Sequence, residues 1–209
     1  ALEAIGSVNS IEVLYQSLKS SDGHTRKIAA RALSSLAGPV AAPRLFEALQ
    51  AEVFRDVMEE IADVLSMIPS EAVKKGFCAL LSSPREQLRE MGARGLGLIG
   101  DEEALEFLKQ AATDESPSVR KAAYKSMARL GITDALEEIL KGLDDPNEDV
   151  KLSVLKCLNG WSGEKIKSSL VISLRDRNVW IRYNSVLLLG DLGENDVESL
   201  ILEMLLKDE

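Results

Sequence analysis

Apolar residues recur along this chain with two nested periods, one helical and one of about 31 residues. The longer period is anchored on Arg120, within the run SPSVRKAAYKSMARLG. The anchor positions are Arg26, Met58, Arg89, Arg120, Lys151 and Arg182, separated by 32, 31, 31, 31 and 31 residues. Three positions on stands a mostly small or apolar residue: Ala29, Ile61, Gly92, Ala123, Val154, Ser185. Seven on comes a larger one (Leu33, Leu65, Leu96, Met127, Leu158, Leu189), and ten on another (Leu36, Ile68, Ile99, Leu130, Trp161, Leu192). Offsets of 3, 7 and 10 trace one face of an α-helix. A terminator follows at Gly38, Pro69, Gly100, Gly131, Ser162 and Gly193. Glycine supplies a left-handed helix stop at little steric cost, and proline forbids continuation.

Between each terminator and the next anchor lies a second amphipathic stretch. Its apolar pairs are Leu14/Leu18, Phe77/Leu81, Leu108/Ala112, Ile139/Leu143 and Leu170/Leu174, at i, i+4 spacing. The second repeat is less regular, and Leu45/Leu49 or Phe46 fill the role. Each unit is therefore predicted as helix A, turn, helix B, turn. No sustained period-2 alternation predicts a strand. Neither helix can bury its apolar stripe alone, so the units must stack. The expected fold is all-α: an α-solenoid, a superhelix of stacked antiparallel helix pairs. Six units at ~8–10 Å each imply a groove of roughly 50–60 Å.

The run DESPSVRKAA at 114–123 sets an Asp six residues before the Arg of a Val-Arg pair and opens a small-residue helix that ends in Leu-Gly. It recurs as Asp145/Val150-Lys151 and Asp176/Ile181-Arg182. In the second repeat Met58 replaces the Arg and Glu52 stands near the Asp position. This pattern resembles the HEAT repeat, in particular the short variety of about 30 residues named after phycobilisome lyases. The resemblance covers essentially the whole chain. It implies that helix B lines the concave surface of an armadillo-like superhelix. It also implies that the Asp and Arg tie neighbouring repeats together, a structural role carried here by Asp114/Arg120, Asp145/Lys151 and Asp176/Arg182.

The ends follow the same register. Residues 1–14 align with 95–108, Gly6 on Gly100, so the chain is expected to open midway through a B helix. Residues 197–209 (VESLILEMLLKDE) read as an A helix without a B partner, apolar nearly all round. The expectation is one array of residues 1–209, six repeats plus a half-repeat at each end, cut from a longer solenoid. Self-association through the apolar C-terminal helix would follow from the same pattern.

Composition narrows the function. Thirty-four Asp+Glu against 25 Lys+Arg give a net charge of −9, which argues against a nucleic-acid binder that works by bulk charge. No apolar run approaches the ~18–20 residues of a membrane span. One histidine, His24, lies in a polar turn and is a poor basis for a metal site or a catalytic triad. Cys78 and Cys157 sit in helical patterns roughly 20–25 Å apart by repeat spacing, beyond disulfide reach. Two free thiols and no secretion signal fit a reducing, cytoplasmic setting. No catalytic residue, cofactor or metal ligand is expected.

The charge is unevenly spread. The predicted B helices sum to +5, with +4 on residues 117–130 alone, so everything else carries −14. Within helix B, the residues one and five positions after the anchor point away from the core face. They carry a broken basic stripe of Lys27, Arg31, Arg94, Lys121, Lys125 and Lys156. The stripe reads either as a solvated helix face or as a groove that attracts an acidic segment of a protein partner. Trp180 opens the last B helix at a position that is otherwise polar, with Tyr183 one turn on. It is either an exposed contact residue, as Trp often is at interfaces, or packed on the neighbouring repeat. Trp161 takes a core position.

These features point to a non-catalytic interaction scaffold. The resemblance adds two alternatives, a bilin lyase-like chromophore-handling protein and a HEAT-like DNA glycosylase with a basic concave face. The related deoxyhypusine hydroxylases bind iron through His-Glu pairs, whereas His24 here is followed by Thr25.

Overall fold

The computed structural model describes residues 2–192, with side chains from residue 10 onward. Among the described residues every regular element is helical. The helices are α1 (Leu2–Ser17), α2 (Gly23–Ala37), α3 (Ala42–Ala51), α4 (Arg55–Ser66), α5 (Glu71–Leu80) and α6 (Glu86–Ile99). They continue as α7 (Leu105–Ala111), α8 (Pro117–Leu130), α9 (Leu136–Lys141), α10 (Glu148–Cys157), α11 (Glu164–Ser173) and α12 (Val179–Asp191). Odd-numbered helices are the A helices and even-numbered ones the B helices, six antiparallel pairs in chain order. The predicted apolar helix at 197–209 lies outside the described residues.

The helical face read from the sequence is the one that packs. All six residues at offset three and all six at offset seven are buried, Leu33, Leu65, Leu96 and Met127 completely. The second repeat uses Leu45 and Leu49, both fully buried, and leaves Phe46 at the core edge. Offset ten lies at the rim of this face and is less consistent. Ile68 is buried, but Leu36 is 61% exposed. Trp161 is half-buried and off the helix. α10 stops at Cys157, and left-handed Gly160 turns the chain away before Trp161 is reached.

Successive B helices pack against one another along the whole array, from α2–α4 to α10–α12. Among the A helices only α3 and α5 make more than marginal contact. The B layer is thus the more closely spaced and forms the inner, concave side. Its tightest pair, α6–α8, depends on Gly97: a Cβ there would lie 2.3 Å from Ser126 Oγ. That hydroxyl instead donates to the Ala93 carbonyl at 2.8 Å.

The Asp and Arg do link the repeats, in a register the sequence does not reveal. Arg89 donates twice to Asp114 (2.7 and 2.9 Å), Arg120 twice to Asp145 (2.7 and 2.8 Å), and Lys151 once to Asp176 (2.7 Å). Each carboxylate therefore pairs with the base 25 residues upstream, in the preceding repeat. Within its own repeat the Arg reaches backbone carbonyls: Arg120 Nη1 donates to those of Asp114 and Glu115, and Arg182 Nη1 to those of Asp176 and Arg177. Each acid also accepts a backbone N–H two residues on, at Ser116, Asn147 and Asn178. Burial works against ionisation of Asp114, Asp145 and Asp176. The hydrogen bonds from the base and the backbone outweigh it and hold all three below the usual carboxylate range.

Repeat two keeps half of this ladder. Glu52, 26 rather than 25 residues beyond its base and one methylene longer than an Asp, accepts from Arg26 at 2.6 and 3.0 Å. The next rung lacks both halves at once. Met58 replaces the base, and the residue 25 beyond it is Ser83. Arg85 substitutes, donating back to the Gln50 carbonyl at 2.6 Å and the Glu52 carbonyl at 2.7 Å.

At the N-terminus, α1 runs without a break through Gly6, where the repeat register predicts a helix stop. Extending an existing helix is far cheaper than nucleating a second one, and a single internal glycine costs only about 1 kcal/mol relative to alanine.

Candidate concave interaction face

The B helices present offsets one and five to the inner surface, and the structure divides the predicted basic stripe in two. In repeats one to three each cation meets a carboxylate of the adjacent B helix. Lys27 pairs with Asp56, Arg31 with Glu60 through two donors, and Arg94 with Asp63 at 2.8–3.0 Å. Arg55 joins Glu90 from one side and Glu59, at 2.9 Å, from the other. Repeat two is the acidic one, so its carboxylates serve the bases of both neighbours. The Arg31 hydrogen bonds hold Glu60 below its usual range against the opposing effect of burial.

In repeats four and five the pattern ends. Among the described residues Lys121, Lys125 and Lys156 make no ion pair, and Lys125 and Lys156 are exposed. Arg129, which lies outside offsets one and five, belongs with them. Residues 121, 125 and 129 follow at i, i+4, i+8 on α8, so a helical wheel of residues 117–130 identifies it. These three side chains and Arg94 line a cleft of about 210 Å³ over Ala122 and Ser126, with the Arg55–Glu90 pair on its far wall.

Cys157, on α10, lies close enough to Lys125 to feel its charge. Burial pushes its thiol up, and Lys125 pulls the other way. Both cysteines are free and half-buried, less enclosed than small core residues would be. His24 is exposed beside the Asp22 cap.

Repeat six replaces charge with aromatic surface. Trp180 is 62% exposed and Tyr183 52%, their rings edge-to-face with centroids 6.1 Å apart. Among the described residues Trp180 therefore does not pack into a neighbouring repeat. Its backbone is fixed from both sides: the Asn178 side chain accepts from its N–H at 2.8 Å, and Asn184 Nδ2 donates to its carbonyl at 2.7 Å. Val179 and Leu187 extend the exposed apolar surface.

Reading from repeat one to repeat six, the face is thus self-neutralised, then basic, then aromatic. It offers charge and apolar contact along a groove. Among the described residues no group of three or more His, Cys, Asp and Glu is placed to hold a metal ion. Among the same residues no helix is long and apolar enough to cross a membrane.

Known structures share this architecture at low identity. YibA of E. coli superposes with a TM-score of 0.68 at 20% identity, over 92% of this chain and 74% of that one. The complex of CpcE and CpcF of phycocyanin lyase from Nostoc sp. PCC7120 gives 0.52 at 21% identity, over 95% and 88%. Human deoxyhypusine hydroxylase in complex with glycerol gives 0.54 at 19%, over 95% and 79%. At such identities the likeness is one of fold. No curated protein matches the sequence. The family model for HEAT repeats matches residues 1–66 and 75–141, more than half of the chain, and the protein therefore belongs to the HEAT-repeat family.

Proposed function

We propose that this protein is a non-catalytic interaction scaffold that holds an acidic segment of a protein partner along repeats four to six of its concave face. The observation that carries this reading is the division of the basic stripe. Bases in the first three repeats are matched by carboxylates one repeat away, whereas among the described residues Lys121, Lys125, Arg129 and Lys156 make no ion pair and are followed by the exposed Trp180–Tyr183 pair. Unmatched charge accelerates encounter and fixes register. An exposed aromatic pair on a fixed backbone supplies the apolar anchor from which affinity mostly comes. The free thiols fit a reducing, cytoplasmic compartment.

The test is a titration of fluorescein-labelled peptides. One is a twelve-residue glutamate-rich peptide ending in leucine and phenylalanine, and the other is its lysine-rich counterpart. The acidic peptide should bind saturably, lose affinity as salt rises, and lose affinity again in Trp180→Ala. Equal binding of both peptides, or of neither, overturns the reading.

Chromophore handling is the second reading, favoured only by the shared fold with CpcE–CpcF. An unchanged absorption spectrum of phycocyanobilin on mixing would remove it. DNA binding of the glycosylase type fits less well, because phosphate neutralisation needs a continuous basic surface and here the stripe is half cancelled.

A further inference from the structure

A second cleft lies away from the concave face. A cleft of about 630 Å³ opens between α1, α3 and the turn that joins α3 to α4. One wall is Phe54, 58% exposed, with Val53 beside it at 73%. Phe54 stands at the N-cap of α4 and caps nothing. The equivalent residues Asp22, Asn147 and Asn178 accept backbone N–H groups at the starts of α2, α10 and α12. Helix starts favour such residues because their side chains satisfy free N–H groups. Arg85 and Ser116, at the starts of α6 and α8, make no such bond either, but only at Phe54 does the position carry an exposed aromatic ring.

The backbone that carries the ring is nonetheless fixed. Glu52 accepts the N–H groups of Val53 and Phe54 at 2.9 and 3.0 Å. Its carboxylate is gripped by Arg26, whose guanidinium lies 5.6 Å from the Phe54 ring centre. Arg85 fixes the Glu52 carbonyl from the other side. A second aromatic, Tyr15, lines the cleft with Arg44 over its ring at 5.9 Å. Leu18, Ala48 and Ala51 complete the apolar lining. On the rim, Glu12 accepts from Gln16 and Glu47 from Arg44. Lys19 is the rim cation with no side-chain partner among the described residues, whereas Glu12 meets the neutral Gln16 amide rather than a cation.

A volume between roughly 300 and 1,000 Å³ suits a whole small molecule, and preorganised aromatic walls with one unmatched cation specify its chemistry. We propose that this cleft binds a small molecule with a planar aromatic body and one anionic group. The rings stack against Phe54 and Tyr15, and the anion is met by Lys19. The site is separate from the concave face and does not depend on the function proposed for it.

The probe is 8-anilinonaphthalene-1-sulfonate, a fused aromatic body with one sulfonate, titrated by fluorescence against the full chain. The expected result is one saturable site per chain. Phe54→Ser, which restores a capping residue to α4, should weaken it at least ten-fold with an unfolding midpoint at or above that of the unsubstituted protein. Tyr15→Ala should weaken it similarly and Lys19→Ala several-fold, whereas Lys121→Glu/Lys125→Glu should bind as before. The proposal is overturned by the lack of a saturable site, or by Phe54→Ser and Tyr15→Ala binding with unchanged affinity.

Discussion

The two halves of the concave face are built from the same helix in the same repeat, yet they differ in what they leave available. In repeats one to three, Lys27, Arg31 and Arg94 are answered by Asp56, Glu60 and Asp63. In repeats four and five, Lys121, Lys125 and Lys156 make no ion pair among the described residues, although Glu90 lines the same cleft as Lys121 and Lys125. The number of cations per helix does not set the difference. α2 carries three and α8 four, but only α2 lies beside an acidic B helix. A basic stripe presents unpaired charge only where the neighbouring repeat fails to neutralise it.

The largest effect should come from the ladder, which both halves share. Asp145 is buried and the Arg120 side chain largely so, so Asp145→Ala leaves that guanidinium with its backbone carbonyls alone and should cost about 3 kcal/mol in urea unfolding. The same pairs set the acid response. Asp114, Asp145 and Asp176 have folded pKa values below their unfolded ones. Their contribution is therefore complete above the unfolded carboxylate value of about 4 and is lost as pH falls through the folded values. The unfolding midpoint should hold steady from neutral pH down to about 5 and drop below about 4. Asp145→Asn should flatten part of that drop.

Next in size is charge reversal in the open half. Lys121→Glu/Lys125→Glu should weaken an acidic peptide by roughly 2 kcal/mol or more with little change in stability, because neither lysine makes an ion pair among the described residues. Trp180→Ala should cost about 1–2 kcal/mol of the same binding energy, again with an unchanged thermal midpoint. The smallest effect tests the closed half. Asp63→Asn releases Arg94 from an exposed pair, so stability should shift by less than about 1 kcal/mol. Acidic-peptide affinity should rise modestly, since the freed Arg94 lines the Lys121–Lys125 cleft.

The sequence made some levels of this structure readable and left others hidden, for physical reasons. Offsets three and seven were legible because a helix face is a local property, and every residue there is buried. Offset ten failed at Leu36 and Trp161 because the last helical turn depends on where the chain leaves the helix. At Trp161 that exit is dictated by Gly160, one residue earlier. The ladder residues were legible, but their partners were not. Pairing of Arg120 with Asp145 rather than Asp114 is fixed by how adjacent repeats stack. The same holds for Lys27–Asp56 and Arg94–Asp63, which turned half of an apparent stripe into internal pairs. Arg129 was readable on a helical wheel of α8 but fell outside offsets one and five. The Phe54 cleft left only a faint trace in sequence, an aromatic at a capping position, and its meaning emerged once α1 and α3 were seen to leave space beside it.

The most direct measurement compares two charge reversals on one acidic peptide. Lys121→Glu/Lys125→Glu removes unmatched cations, and Lys27→Glu/Arg31→Glu removes matched ones, two charges each. If the face is closed in its first half and open in its second, the former should lose at least ten-fold in affinity and the latter less than about three-fold at the same salt concentration. Equal losses, or a larger loss from Lys27→Glu/Arg31→Glu, would contradict the account.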